Sequence, residues 1–372
     1  MYARSATTRR DARSPRLPGR RLTSRIGRWA MATSEEVARL AGVSRATVSR
    51  VLSGTAKVRD TTRIRVEAAA ASLGYQPDVA AQSLSGARSK VIALGFFAND
   101  MWTLSELARP QYHFYLNLLH HIEAATAEAG YDLLVPSRPT SAASDSYVRL
   151  LRSRRVAGTI MVACPPGDVR IQALVESRLP TVFVDAVGTG LRATWVASDN
   201  ADGARQITEH LLGLGHRRIA RITGAETDPA GRDRLAGIRA ALAAAGVPED
   251  PGLARKSDWS TEGAYRAAVD LLETRRDFTA VVAESDMMAI GILRALNEHG
   301  LRVPDDVSVT GFDGIDLSAF ILPPLTTVRQ DTQAMGSAAV KALLGIIQGA
   351  TPPPIVLPTE VVVRLSTAAP RP

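Results

Sequence analysis

From Val91 onward the sequence keeps changing its period, and that alternation restricts the fold more than any other feature of the chain. Short apolar runs of strand length stand at Val91–Phe97, Leu133–Val135, Thr159–Val162, Thr181–Asp185, Arg218–Thr223, Ala280–Ala283 and Val307–Gly311. Longer alanine-rich stretches of helical spacing separate them. A chain that repeats strand, helix, strand builds parallel sheets with helices on both faces. About 280 residues of such alternation suit two doubly wound lobes. Open sheets of this kind bind ligands beyond the carboxyl ends of their strands, so the predicted site is the cleft between the lobes.

The rest of the composition narrows what such a chain can do. Hydrophobic residues make up 45% and charged residues 22%, enough apolar material for sizeable cores and too little charge for wholesale disorder. A single cysteine, Cys164, excludes a disulfide framework and a cysteine-rich metal site. No apolar run reaches the ~18 residues needed to span a bilayer. The net charge of +8 is unevenly placed. Residues 1–30 carry +8, residues 31–90 carry +4 and the remainder carries −4. A basic front on a mildly acidic body points to nucleic acid held by the N-terminal part, not by the large domain.

The basic front begins with residues 1–31, which contain nine arginines and show no apolar period. They lack the apolar stretch of a secretory signal, and none follows Arg20-Arg21 as a twin-arginine signal requires. Two readings stand: a disordered arm adding phosphate contacts, or a start placed too early, with Met31 the first residue.

A denser pattern follows over residues 32–77. Ser34 is the expected N-cap of a first helix with apolar positions Val37, Ala38, Leu40 and Ala41, and with Glu35 and Glu36 in its first turn. Gly42 supplies a tight turn. Ser44 caps a second helix, Arg45 to Leu52, that faces Val48, Val51 and Leu52 inward. A third amphipathic helix follows Asp60, carrying Ile64, Val66, Ala69 and Leu73 up to Gly74. Two short helices joined by a glycine turn and backed by a third form a helix-turn-helix unit, whose second helix enters the major groove. That helix exposes Arg45, Thr47, Ser49 and Arg50, side chains able to pair with guanine edges or phosphates. The plainer alternative is the solvated face of an ordinary helical bundle.

The strings EEVARLAGVSRATVSRVLSG and TRIRVEAAAASLGYQPDVAAQSLSG closely resemble the head of the LacI/GalR family of bacterial transcription regulators. The agreement covers Ala41 to Ser44, Thr47 to Leu52, Gly74-Tyr75 and Pro77. The resemblance implies that Arg45 and Ala46 hold the variable specificity positions and Arg50 the common base-contacting arginine. It also assigns Thr33, Thr47, Ser49 and Ser53 to the DNA surface. Residues 78–90 resemble the family's hinge helix and linker, which folds on the operator and enters the minor groove. Ala81 and Leu84 fall in that hinge, and Leu84 matches the leucine that wedges between central base pairs. Two positions depart from the family pattern. Asp78 replaces a usual asparagine, and Gln82 a frequent arginine. The charge of Asp78 beside phosphates works against operator affinity.

The resemblance continues through nearly the whole of residues 91–372, to about Thr367, in SDNADGARQITEHLLGLGHRRIARITG, RLAGIRAALAAAG, GLRVPDDVSVTGFDG and PPLTTVRQD. It implies a two-lobed effector-binding and dimerisation domain of periplasmic-binding-protein type. By position, Arg234 matches the family's effector-gripping arginine and Asp313 its effector-binding aspartate. Asp185 and Trp259 stand where sugar regulators place a carboxylate and a stacking aromatic. The chemistry suits a carbohydrate: carboxylate and guanidinium bridge adjacent hydroxyls, and an indole covers the apolar face of a pyranose. Phe114 and Tyr115 fall near another effector-contact region, after a segment at 99–113 that is longer than usual. Ser285-Asp286 departs from the family's frequent Asn-Asp, which removes one ligand amide. The plain alternatives are that the aspartates cap turns and that Arg234 is a solvated helix residue.

Six histidines are scattered, and His120-His121 lie on adjacent helix faces, not on the shared face of a metal pair. No GxSxG, HExxH or P-loop pattern occurs, so the sequence offers no catalytic motif, metal or cofactor. The absence of a leucine-heptad tail favours a dimer over a tetramer. The expected protein is a cytoplasmic, dimeric regulator, a repressor, that binds operator double-stranded DNA under control of a small-molecule effector, a carbohydrate. The alternative is a sugar-binding protein or an enzyme on the same lobes without a regulatory role.

Overall fold

The computed structural model describes residues 32–52, 58–75, 89–96, 109, 112–136, 145–165, 167–224 and 227–371. It separates into two compact units, Met1–Ala87 and Arg88–Pro372.

The head contains α1 (Ser34–Ala41), α2 (Arg45–Leu52) and α3 (Asp60–Ser72). Thr33, not Ser34, caps α1. Its hydroxyl accepts from the Glu36 N–H, and the Glu36 carboxylate accepts from the Thr33 N–H, a reciprocal capping box. Ser34 is already the first helical residue, because Thr33, unlike Ser34, lies three positions before a glutamate. Gly42 ends α1 at φ 63°, a left-handed turn residue that frees the chain to enter α2. Ser44 caps α2 as expected, accepting from the Thr47 N–H at 3.2 Å. Arg65 on α3 donates to the carbonyl of Ala41 at 2.7 Å and so pins the third helix to the turn.

Val37, Ala38, Ala41, Val48, Val66, Ala69 and Ala70 form the head's core. Leu40 and Ile64, expected inside, are 59% and 62% exposed, and Leu73 is also exposed. Each helix turns only one narrow stripe toward so small a core, and Leu40 on α1 and Ile64 on α3 fall off it.

The body has two six-stranded sheets. The first lobe carries β1 (Val91–Phe96), β2 (Asp132–Leu134), β3 (Gly158–Val162), β4 (Thr181–Val184), β5 (Ala193–Ser198) and β11 (Ile355–Leu357), in the order β11-β5-β4-β3-β1-β2. All its pairings are parallel. The second carries β6 (Ile219–Thr223), β7 (Ala254–Lys256), β8 (Ala280–Ala283), β9 (Ser308–Asp313), β10 (Thr326–Gln330) and β12 (Thr359–Val362), in the order β12-β10-β9-β8-β6-β7. Only β12 runs antiparallel, against β10. The expected pair of doubly wound lobes is therefore present, with one antiparallel edge.

Helices α4 (His113–Glu128), α5 (Ser146–Ser153), α6 (Val169–Glu176) and α11 (Thr332–Gln348) cover the first sheet, and α7 (Asn200–Gly213), α8 (Pro229–Ala244), α9 (Thr261–Thr274) and α10 (Asp286–Glu298) the second. Met335, Ala339, Leu343 and Ile346 show how α11 docks: spacings of four, four and three put them on one face, all fully buried. Strand β2 differs from the expected buried run. It begins one residue earlier and lies at the sheet edge, with Asp132 exposed.

The chain crosses between lobes three times: from β5 to α7, from β10 to α11 and from β11 to β12. Asp199 at the first crossing caps α7, and Asp331 at the second caps α11. His210 and His216 are structural: they bond Thr367 and the Ala368 carbonyl and so hold the last segment against the second lobe. Among the described residues no helix is long and apolar enough to cross a membrane.

Candidate functional site

In the head, the outward face of α2 presents Arg45, Ala46, Ser49 and Arg50. The Nε of Arg50 donates to the Ala46 carbonyl one turn earlier, which lays the guanidinium along the helix. Thr47 is half-buried, and its hydroxyl stands 2.9 Å from that of Ser44, so it is tied to the helix start. The Thr33 hydroxyl belongs to the capping box, and the same hydrogen bonds, the backbone one foremost, hold the Glu36 carboxyl below its usual range. Ser53, Ala81 and Leu84, with Asp78 and Gln82, lie outside the described residues.

In the body, Asp185, Arg234, Trp259 and Asp313 come together with Phe114 and Tyr115 in one cleft. Asp185 follows β4 of the first lobe and Asp313 ends β9 of the second, as the rule for strand ends requires. Arg234 is only 5% exposed on the inner face of α8, so it is no solvated helix residue. Its Nε donates to Asn200 Oδ1 at 2.8 Å, one Nη donates to the Glu284 carbonyl, and the guanidinium stands 3.5 Å from Asp313 Oδ1. Its flat faces lie 3.7 Å from the Phe312 ring centre and 5.6 Å from that of Trp259. A planar cation so held cannot rotate away, which suits bidentate hydrogen bonding to a ligand.

Trp259 is fixed twice. Its indole N–H donates to Asp228 at 2.8 Å, and its ring lies over Gly224, where a Cβ would come within 2.1 Å of the indole. Gln330 donates to Asp313 at 2.9 Å. Asp286 stands behind, accepting from the Thr327 hydroxyl and the Ile315 N–H. Burial pushes the carboxyls of Asp286 and Asp313 upward; the negative charge of Asp313 raises Asp286 further, and that of Asp185 raises Asp313 against the opposing Arg234 cation. Burial likewise raises Asp185 to about 6, partly offset by the Arg234 cation. Oδ1 of Asp185 is sealed from solvent without a hydrogen-bond partner among the described residues.

Several lining residues carry no signal that the sequence reading used. Asp228 and Asp258 line the cleft, as does Cys164, whose thiol burial pushes up. Asn200 and Gln330 grip Arg234 and Asp313 from two of the three lobe crossings. Asp228 precedes Pro229 at a helix start, a recognisable helix-entry pair that could have pointed to it. Ser285 lines the cleft too, but its hydroxyl is engaged as the cap of α10, 3.1 Å from the Met288 N–H. Ala163, Asp185, Trp259 and Asp313 all have left-handed φ, between 52° and 115°, and all line the cleft. Such backbone costs on the order of 1–3 kcal/mol per residue and concentrates at ligand sites.

Comparison with known proteins agrees with both units. Residues 33–78 match the bacterial regulatory proteins of the lacI family, and residues 208–367 match the periplasmic binding protein-like domain. The chain is 35% identical over 339 residues to the HTH-type transcriptional regulator CelR of Thermobifida fusca, covering 90% of this chain and 98% of that one. It is 32% identical over 318 residues to the HTH-type transcriptional repressor PurR of Photobacterium profundum, covering 84% and 91%. Among solved structures it resembles a CelR–cellobiose complex, with TM-score 0.68, 34% identity and coverage of 90% and 99%. It also resembles a lac repressor dimer bound to operator and an anti-inducer, with TM-score 0.79, 32% identity and coverage of 91% and 100%. The chain belongs to the lacI family of bacterial transcriptional regulators.

Proposed function

We propose that this regulator is an effector-controlled repressor: a cytoplasmic homodimer whose paired heads bind a roughly palindromic operator, and whose cleft takes a carbohydrate that sets operator affinity. The observation that carries this reading is the cleft itself. A carboxylate from one lobe faces a guanidinium, a carboxylate and an indole from the other, the donor, acceptor and stacking set that a pyranose needs. A ligand touching both lobes binds the closed arrangement better than the open one and shifts the population toward it. Asn200 and Gln330 extend the contacts of Arg234 and Asp313 to two lobe crossings, so occupancy of the cleft and the lobe angle are mechanically joined. Phe320 and Leu322 are 82% and 90% exposed in the loop after β9, apolar surface that a second subunit would cover.

The test is selection of binding sites from a pool of random duplexes with the full chain, followed by titration at several salt concentrations with and without sugars. A palindromic consensus, a steep salt dependence and a sugar-dependent shift in affinity are expected. Failure to enrich any sequence, with sugar binding intact, would make the chain a binding protein without a regulatory role.

A further inference from the structure

The charges around the cleft restrict its ligand further. Among the described residues, Asp185, Asp228, Asp258 and Asp313 line it against one cation, Arg234, so carboxyl groups outnumber cations there by three. Arg234 is not held in reserve for an anion: it already serves Asn200, the Glu284 carbonyl and Asp313. Three of the helix N-termini beside the cleft, which otherwise attract phosphate, are answered by acids of the chain. Asp228 stands at the N-cap of α8, Glu262 in the first turn of α9, and Asp286 in that of α10. The start of α4 at His113 has no acid in its first turn. Meanwhile the sealed Oδ1 of Asp185 offers a lone pair to a donor, and a hydroxyl supplies one where a phosphate or carboxylate oxygen cannot. In a site drier than water, like charges repel strongly and added salt screens them little.

We infer that the effector is a hydroxyl-rich sugar carrying no phosphate and no carboxylate, and that phosphorylated and acidic sugars are excluded from this cleft. The inference rests on reading the cleft as a carbohydrate site. Its hydroxyls donate to Asp185 and Asp313 and accept from Arg234, while an apolar ring face lies on Trp259.

The experiment is calorimetry and thermal shift on the full chain with matched sets: glucose, glucose 6-phosphate and glucuronate; ribose and ribose 5-phosphate; cellobiose and cellobionate. In at least one set the neutral member binds, and its anionic counterpart binds about a hundredfold more weakly, a gap that persists at high salt. Asp258→Asn, which removes one lining charge, narrows the gap between the anionic and the neutral member. An anionic sugar that binds as tightly as its neutral parent overturns the inference and leaves the carbohydrate reading standing. A folded protein that binds no member of any set overturns the carbohydrate reading and the inference with it.

Discussion

In the head, the side chains that α2 presents outward lie within six consecutive residues, Arg45 to Arg50, and most stand in solvent on one short helix. In the cleft, the corresponding groups come from both lobes, and Arg234 and Asp313 are buried. The head works by exposure, since polar atoms left in water can be traded for base edges and phosphates at small cost. The cleft works by burial, where each polar atom must find a partner and an unpaired one is expensive. A substitution in the head should therefore affect one partner and little else. A substitution in the cleft should disturb stability, ligand binding and regulation together.

The sharpest break of this comparison is Arg234→Ala. It strands Asp313 beside Asp286 without a nearby cation, so unfolding of the body should become easier by about 3–5 kcal/mol. At temperatures where the protein stays folded, operator affinity should persist while sugars lose their effect on it. Denaturant melts and operator titrations read the two quantities separately, and a retained sugar response would remove Arg234 from the site.

Arg50→Ala should do the reverse. Operator affinity should fall by about 1–3 kcal/mol with discrimination lost at one base pair, while the melting of the body and its sugar binding stay unchanged. Equal weakening on every sequence would make Arg50 a phosphate contact.

Gln330→Ala probes the link between cleft and lobe crossing. It deletes the donor to Asp313, a bond worth about 1 kcal/mol. If the crossing transmits occupancy, the change in sugar affinity caused by operator should shrink as well, because linkage makes that coupling reciprocal. Loss of sugar affinity with unaltered coupling would leave Gln330 a local support only.

The smallest effect is one of pH. Burial raises Asp185 from an ordinary 3.8 to about 6, so the folded protein holds this proton more tightly than the unfolded chain. Its contribution to stability therefore increases as pH falls through 6 toward 3.8. Sugar binding runs the other way, since hydroxyl donors need the ionised carboxylate. Affinity should drop about twofold near pH 6 and further below it, with proton release on binding at that pH. Calorimetry in two buffers of different ionisation enthalpy checks this, and affinity that rises on acidification would contradict it.

Much of the architecture was legible in the sequence because it depends on local pattern. Strand β8 stands over the predicted Ala280–Ala283, and β6 within one residue of its predicted start. The tight turn at Gly42 and the cap at Ser44 follow from side-chain chemistry within a few residues. The strands missed, β5, β7 and β10 to β12, are short, at sheet edges or interrupted by polar residues, as in Thr-Thr-Val-Arg-Gln. Leu40 and Ile64 were misplaced because periodicity marks apolar positions without knowing how little core is available.

Of the cleft, the sequence by itself supplied Asp185, Arg234, Trp259 and Asp313 as motif positions, and the basic front against the acidic body. It did not determine their partners. Asn200 lies 34 positions from Arg234, Gln330 lies 17 from Asp313, and Asp228 lies 31 from Trp259. Only parallel sheet order and the three lobe crossings bring such pairs together. The left-handed backbone of Asp185, Trp259 and Asp313 is likewise decided by tertiary packing, since no local preference places a tryptophan at φ 65°. Local chemistry fixes what each residue can offer, while long-range packing fixes which groups remain unpaired and face the ligand.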